Sequence, residues 1–300
     1  MNIKAWLSAF RLRTLPLALA GIAMGAFLAA RKGELYLPVL VLSIITATLL
    51  QILSNLANDY GDSVNGADFS ENGRKGPARM VQSGQISLQS MKNAMIICGV
   101  LAFISGIGLL IVSFASINLQ FLIFIVLGLL SIYAAIKYTA GSNPYGYAGL
   151  GDIAVLLFFG FIGVGGSYFL HTTTFDLLVL LPAYAVGAFA TAVLNVNNVR
   201  DIESDTKAGK MSIPVRIGRK AACYYHLFLV LSGLVAAAIY VIISKAPITS
   251  WVFLVASPVM LLNVKAVFQK TDSQALDPHL KQMALATLLF VVCLGVGINL

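Results

Sequence analysis

Two short stretches hold most of the residues in this chain that could do chemistry. The first is Asn55-Leu-Ala-Asn58-Asp59-Tyr60-Gly61-Asp62, continuing to Asp68. The second is Asn195-Val-Asn197-Asn198-Val-Arg200-Asp201-Ile-Glu203-Ser-Asp205. With Glu71 just beyond the first, they contain seven of the twelve acidic residues. Steps of four join Asn58 to Asp62, and Asn197 to Asp201 to Asp205, so each set falls on one helical face. Columns of carbonyl and carboxylate oxygen are hard ligands, suited to Mg2+ or Ca2+ and not to zinc. Mg2+ is usually held by one or two carboxylates and completed by phosphate oxygens, so two such columns could grip a diphosphate through bridging metals. The metal candidates are Asn58, Asp62, Asp68, Asn197, Asp201 and Asp205, and Asp59 joins them as an acidic candidate for catalysis. A lone Asp at a helix end is ordinarily a cap. Seven acids crowded at the ends of apolar helices, twice and with matching spacing, ask for a functional reason.

Cations follow each cluster. Arg74, Lys75 and Arg79 come after the first; Lys207, Lys210 and Arg216 come after the second, which itself contains Arg200. Arg and Lys bind phosphate, and acid alternating with base reads as metal plus diphosphate. Arg74, Lys75, Arg79, Arg200, Lys207 and Lys210 are therefore the candidates for holding the phosphates.

The elements that must position these groups are membrane helices. Hydrophobic residues make up 59% of the 300 and charged ones only 11%, against roughly 25% charged in a globular domain, and the mean hydropathy is +0.88. Apolar windows, each long enough to cross a bilayer core of about 30 Å, fall at 14–30, 37–55, 93–114, 118–138, 150–170, 177–196, 222–243, 248–268 and 282–299. They do not alternate in polarity, which excludes a β-barrel. The expectation is an all-α, nine-span chain with its termini on opposite sides of the lipid bilayer. A cytoplasmic N-terminus assigns 17 of the 20 Lys and Arg to that side, as the positive-inside rule requires. The basic stretch before the first window is read as the flank of an uncleaved helix. The net charge of +8 then reflects topology and anion binding, and nothing resembles a nucleic-acid-binding module. Connections on the outer side are short. Those at about 55–92 and 195–220 are long and polar, and both face the cytoplasm, where chemistry is expected. Cys98, Cys223 and Cys293 lie in or beside apolar stretches without metal or disulfide spacing. His171, His226 and His279 stand isolated and are given no role. Asn-x-x-x-Asp occurs at 58–62 and again at 197–201, which suggests one domain over 1–300 built from a repeat of spans 1–4 and 5–8.

Asn58-Asp-Tyr-Gly-Asp62 and Asp201-x-x-x-Asp205 resemble the paired Asp-rich motifs of the UbiA superfamily of intramembrane prenyltransferases. Within it, several stretches are similar to the branch that prenylates 1,4-dihydroxy-2-naphthoate. They are Arg11-Leu-Arg-Thr-Leu-Pro16, Gly76-Pro-Ala-Arg79-Met-Val-Gln82-Ser-Gly84, Tyr138-Thr-Ala-Gly-Ser-Asn-Pro144-Tyr-Gly-Tyr147-Ala-Gly-Leu-Gly-Asp152 and the run Asn197 to Lys210. The likeness covers about residues 5 to 220. The broader superfamily often has a third Asp four residues after Asp62; Gly66 stands there, and Asp68 is the candidate substitute. The resemblance implies a nine-helix bundle around a central cavity, capped by the two cytoplasmic loops, in a bacterial inner membrane. It implies Mg2+-dependent transfer from a polyprenyl diphosphate to 1,4-dihydroxy-2-naphthoate, with loss of CO2, giving demethylmenaquinone. Cleavage would create an allylic cation and a diphosphate, stabilised by Mg2+ on Asn58, Asp62, Asp201 and Asp205 and by the basic residues. Tyr138, Tyr145 and Tyr147 could shelter the cation or belong to an interfacial belt. Asp152 could orient or deprotonate the acceptor phenol. The alternatives are an aromatic prenyltransferase using 4-hydroxybenzoate or another acceptor, and a secondary transporter. A transporter would carry charge near the bilayer midplane, where these spans have almost none.

Overall fold

Small residues decide how this bundle is assembled. The computed structural model describes residues 2–64 and 79–300, apart from the side chain of Arg13; Asp68, Arg74 and Lys75 therefore lie outside the described residues. The described chain is all helical: α1 Ile3–Phe10, α2 Leu15–Arg31, α3 Leu37–Val64, α4 Leu88–Ser113, α5 Leu119–Lys137, α6 Gly151–Thr172, α7 Leu177–Arg200, α8 Ile202–Lys207, α9 Ile213–Ile243, α10 Ile248–Gln269 and α11 Ser273–Gly297. Among the described residues eight of these are long and apolar enough to cross a membrane, and α1 with α2, bent by 50° across residues 11–14, bring the count to nine if the pair is one span. The protein is a multi-pass membrane protein.

Every expected window is found, but the helices outrun them. α3 continues to Val64 and α7 to Arg200, and α8 and the start of α9 fill most of the second polar stretch. The second connection read as a long loop is thus largely helix, and in the first Asn58 and Asp62 sit on the last two turns of α3 rather than in a loop. Hydropathy windows end where polarity begins, whereas these turns persist because packing buries them.

The most enclosed helix is α7, which packs against α2, α6, α9 and α11. Lipid tails are as apolar as leucine, so close backbone approach between small residues is what holds such helices together. A Cβ added at Gly160 of α6 would lie 2.6 Å from the Ala183 carbonyl and 2.9 Å from the Gly187 Cα of α7. One added at Gly25 of α2 would lie 2.6 Å from the Val164 carbonyl of α6. The middle of α6, Leu156–Gly166, is wound as a π-helix, a form that recurs at functional sites. By contrast α4 and α5 turn Ile96, Ile104, Ile111, Leu122 and Val126 outward, as lipid-facing helices should.

The elbow at Arg11, which takes a left-handed φ of 47°, is fixed from α3. Asn55 donates to the Phe10 carbonyl at 2.9 Å and to the Thr14 hydroxyl at 3.0 Å. The far end of the bundle is plainer, tied by Arg31 to the Ser244 carbonyl at 3.0 Å and by Lys32 to Asp176 at 3.3 Å. His171 accepts there from the Tyr36 N–H at 3.2 Å. His226 and His279 are not isolated: both join a chain through Asn263 and Gln282 that links α9, α10 and α11. The three cysteines are free thiols.

Candidate active site

At the polar end of α3 the first cluster divides its labour. Asn58 and Asp62 share one face, as their spacing predicts. The Thr139 hydroxyl lies 3.0 Å from both Asn58 Oδ1 and the Ala57 carbonyl. That contact needs Gly61, because a Cβ there would sit 2.5 Å from the Thr139 carbonyl. Asp62 is buried, ion-paired with the equally buried Arg79, and accepts from the Tyr147 hydroxyl at 3.0 Å.

Asp59 does something else. Its two oxygens accept the backbone N–H groups of Met80 and Val81 at 2.9 and 3.1 Å, so it anchors the returning chain that carries Arg79. Asp59→Ala is expected to lower stability by about 1.5–3 kcal/mol for each charged hydrogen bond lost, seen as an earlier thermal melt in detergent. Donor binding by the folded fraction should weaken as well, because the segment that carries Arg79 loses its anchor.

The second cluster is also split. Asp201 ends α7 and is held bidentately by Arg200, at 2.8 and 2.7 Å. Arg200 further donates to Asn197 Oδ1 at 2.8 Å and to Asp277 at 2.6 Å. Arg200, a candidate for phosphate, and Asn197, a candidate for metal, meet each other here, and Arg200 also holds Asp201. Four donors of a buried guanidinium are used within the protein. Asp205, one turn on, has Lys210 at 3.3 Å. Lys207 is exposed at the end of α8, and Arg216 staples the turn by donating to the Ala148 and Met211 carbonyls.

The turn between α5 and α6 brings the halves together. The Met211 N–H donates to the Tyr147 carbonyl at 2.9 Å while the Tyr147 hydroxyl holds Asp62, so this one residue bridges the two clusters. Tyr138, at the end of α5, stands in the combined field of Asp152, Asp205 and Asp62. Burial first, and then those three carboxylates, push its phenol above the ordinary range; burial and Tyr138 do the same for Tyr145. A raised pKa favours the neutral form, so Tyr138 remains a protonated donor throughout ordinary assay conditions. Tyr138→Phe is accordingly expected to lower the rate without changing the shape of its pH profile. Asp152 is buried beside the Tyr225 hydroxyl, and its Oδ1 has no hydrogen-bond partner among the described residues.

Behind these groups a cavity of about 380 Å³ runs between α2, α3, α4, α5 and α6. Asn58, Tyr138 and Leu194 stand at its polar end, and Ser43, Leu110 and Leu170 at the other. From Asn58 to Ser43 along α3 is roughly 22 Å at the helical rise. Its walls are mostly apolar, and Asn55 and Asn58 of the first acidic stretch line it.

The UbiA prenyltransferase family pattern matches residues 18–297. The chain belongs to the UbiA prenyltransferase family. Among curated UbiA relatives, the 1,4-dihydroxy-2-naphthoate octaprenyltransferase of Escherichia coli (strain K12) is 45% identical over 297 residues, 99% of this chain and 96% of that one. The Haemophilus influenzae protein of the same name is 42% identical over 302 residues, again 99% and 96%. A solved UbiA homolog from Archaeoglobus fulgidus, bound to GPP and Mg2+, superposes with a TM-score of 0.64 at 16% identity, over 99% of this chain and 100% of that one. At that identity the likeness establishes the UbiA fold.

Sequence reasoning missed Thr139, Tyr225 and Asp277, and gave Tyr147 only an aromatic role. Thr139 and Tyr147 lay inside a recognised stretch. No spacing rule points to Tyr225 or Asp277.

Proposed function

We propose that the protein transfers a polyprenyl group from polyprenyl diphosphate to 1,4-dihydroxy-2-naphthoate, in the step that leads to demethylmenaquinone. The carrying observation is that Asn58 and Tyr138 line one end of an apolar cavity while Tyr147 joins Asp62 to the Met211 backbone just beyond the second cluster, supported by 45% identity to a naphthoate octaprenyltransferase over nearly the whole chain.

The donor set fits Mg2+. Asn58, Asp62, Asp201 and Asp205 offer hard oxygen only, and among the described residues no three His, Cys, Asp or Glu gather into a metal site by themselves. Such a site is completed by substrate phosphate, which is the way Mg2+ is usually bound. Mg2+ held there would supply Lewis-acid stabilisation of the departing diphosphate.

The remaining work belongs to the chain's own residues. Arg79 and Lys210 place fixed positive charge beside the phosphates as the prenyl C–O bond breaks. The apolar cavity takes the tail and excludes water from the allylic cation, and Tyr138 offers a neutral aromatic face beside it. The ring carbon bearing the carboxylate forms the new C–C bond, and that carboxylate leaves as CO2 with its electrons returned to the ring. Asp152 orients the acceptor hydroxyl and can hold its proton. The 17-to-3 division of basic residues supports an inner-membrane orientation with the N-terminus and the site in the cytoplasm. We read the whole chain as one domain.

Purified protein given labelled octaprenyl diphosphate, Mg2+ and either naphthoate or 4-hydroxybenzoate tests the assignment. Labelled naphthoquinol with release of one CO2 is the expected result. Product from hydroxybenzoate alone would transfer the reading to that acceptor.

A further inference from the structure

The geometry points to Asp277 as a positioning residue for the second acidic cluster, acting through Arg200; this rests on the reading of Asp201 as a metal ligand. Arg200 and Asp201 are adjacent at the break between α7 and α8, where Asp201 has φ −100° and ψ 10°. A fork between neighbours on a flexible side chain does not fix a carboxylate plane by itself. The fixed point comes from elsewhere. Asp277, on α11, accepts Nη1 of Arg200 at 2.6 Å, while Asn197 accepts Nη2 at 2.8 Å. The Arg200 side chain is only 1% exposed and that of Asp277 is 38% exposed.

α11 is itself well seated. The fully buried Leu276, next to Asp277, packs with Val196 and Val199 on the back of α7, and Asp272 caps the helix by accepting the Ala275 N–H at 3.3 Å. The position of α11 is therefore transmitted through one guanidinium to Asp201.

Two consequences follow for a cation. A carboxylate offers about four lone-pair sites; the Arg200 fork takes one on each oxygen and so sets the plane of the group. Charge matters too. Sharing the guanidinium with Asp277 draws part of its positive charge away from Asp201, which strengthens that carboxylate's pull on a cation. Partners one step removed from a metal typically change its affinity by about 10- to 100-fold.

The test uses full-length protein in detergent and the non-cleavable donor analogue geranyl S-thiolodiphosphate, reading the Mg2+ concentration for half-maximal analogue binding. Asp277→Asn is expected to raise that midpoint about tenfold, and Asp277→Glu to leave it near wild type. Arg200→Lys keeps the charge but loses the fork, and should raise it by a similar factor. Adding Asp277→Asn to Arg200→Lys should then change little, because both act along one path. A wild-type midpoint in folded Asp277→Asn, or in Arg200→Lys should the former not fold, would overturn the proposal. So would independent, multiplying effects in the double variant. Wild-type binding that ignores Mg2+ would instead refute the metal reading itself.

Discussion

Asp62→Asn is expected to cut prenyl transfer by at least about a thousandfold, since a Lewis-acid contribution of several kcal/mol depends on that ligand. The substitution keeps the shape of the side chain and an oxygen for Tyr147, but removes the charge. It also removes the Asp62 side of the ion pair with Arg79, and breaking a buried ion pair from one side costs about 3–5 kcal/mol. Activity must therefore be referred to folded protein, measured by size exclusion and thermal melt. The double variant Asp62→Asn with Arg79→Gln separates the two effects. With both charges gone, stability should return toward wild type, while turnover should not. Recovery of turnover along with stability would make the Asp62–Arg79 pair a structural strut, and not part of the diphosphate site.

Gly61→Val should be nearly as damaging, without touching a polar group. Its side chain would be driven into the Thr139–Ala140 backbone, 2.5 to 2.8 Å away, and backbone cannot rotate aside as a side chain can. Overpacking of this kind costs about 1–3 kcal/mol, and a misplacement of about 1 Å can lower a rate by roughly 100-fold. Relief requires α3 to retreat from the α5–α6 turn, which parts Asn58 from Thr139 and Asp62 from Tyr147. Gly108→Ala is the control: it has no atom within 4 Å of the added carbon, lies outside the cavity lining and gains about 1 kcal/mol of helix propensity. It should melt no earlier and turn over normally. Equal loss in both variants would mean that the contact at Gly61 is not what positions the site.

The first column was legible in the sequence because a step of four has one meaning on a helix; in the second, Asp201 stands at the break between α7 and α8, so Asn197, Asp201 and Asp205 do not share one continuous helix. Asn58 with Asp62, and Asp201 with Asp205, are brought to the same end of the bundle, and all nine windows correspond to helices. The extents of α3 and α7 were not legible. Their last turns are polar, and what buries them are Thr139, Tyr147 and Arg79, whose approach is a tertiary fact. Arg200 shows the same limit more sharply. Beside an acidic cluster in a phosphate-binding pattern it reads as a phosphate ligand, yet its outer partner lies 77 residues away. Asp59 is the converse case: adjacent to Asn58 and identical in type to Asp62, it faces the backbone of Met80 and Val81, and only the fold separates the two aspartates. His226 and His279, apart in sequence, meet through Asn263 and Gln282 for the same reason.

The central claim is that both acidic clusters act on one diphosphate through Mg2+. Its most direct test is titration calorimetry of geranyl S-thiolodiphosphate into wild-type protein, Asp62→Asn and Asp205→Asn, each with Mg2+ and with EDTA. The account predicts tight binding by wild type only when Mg2+ is present, weakened about tenfold or more by neutralising either cluster. Binding that persists in EDTA, or that survives unchanged when one cluster is neutralised, would contradict it.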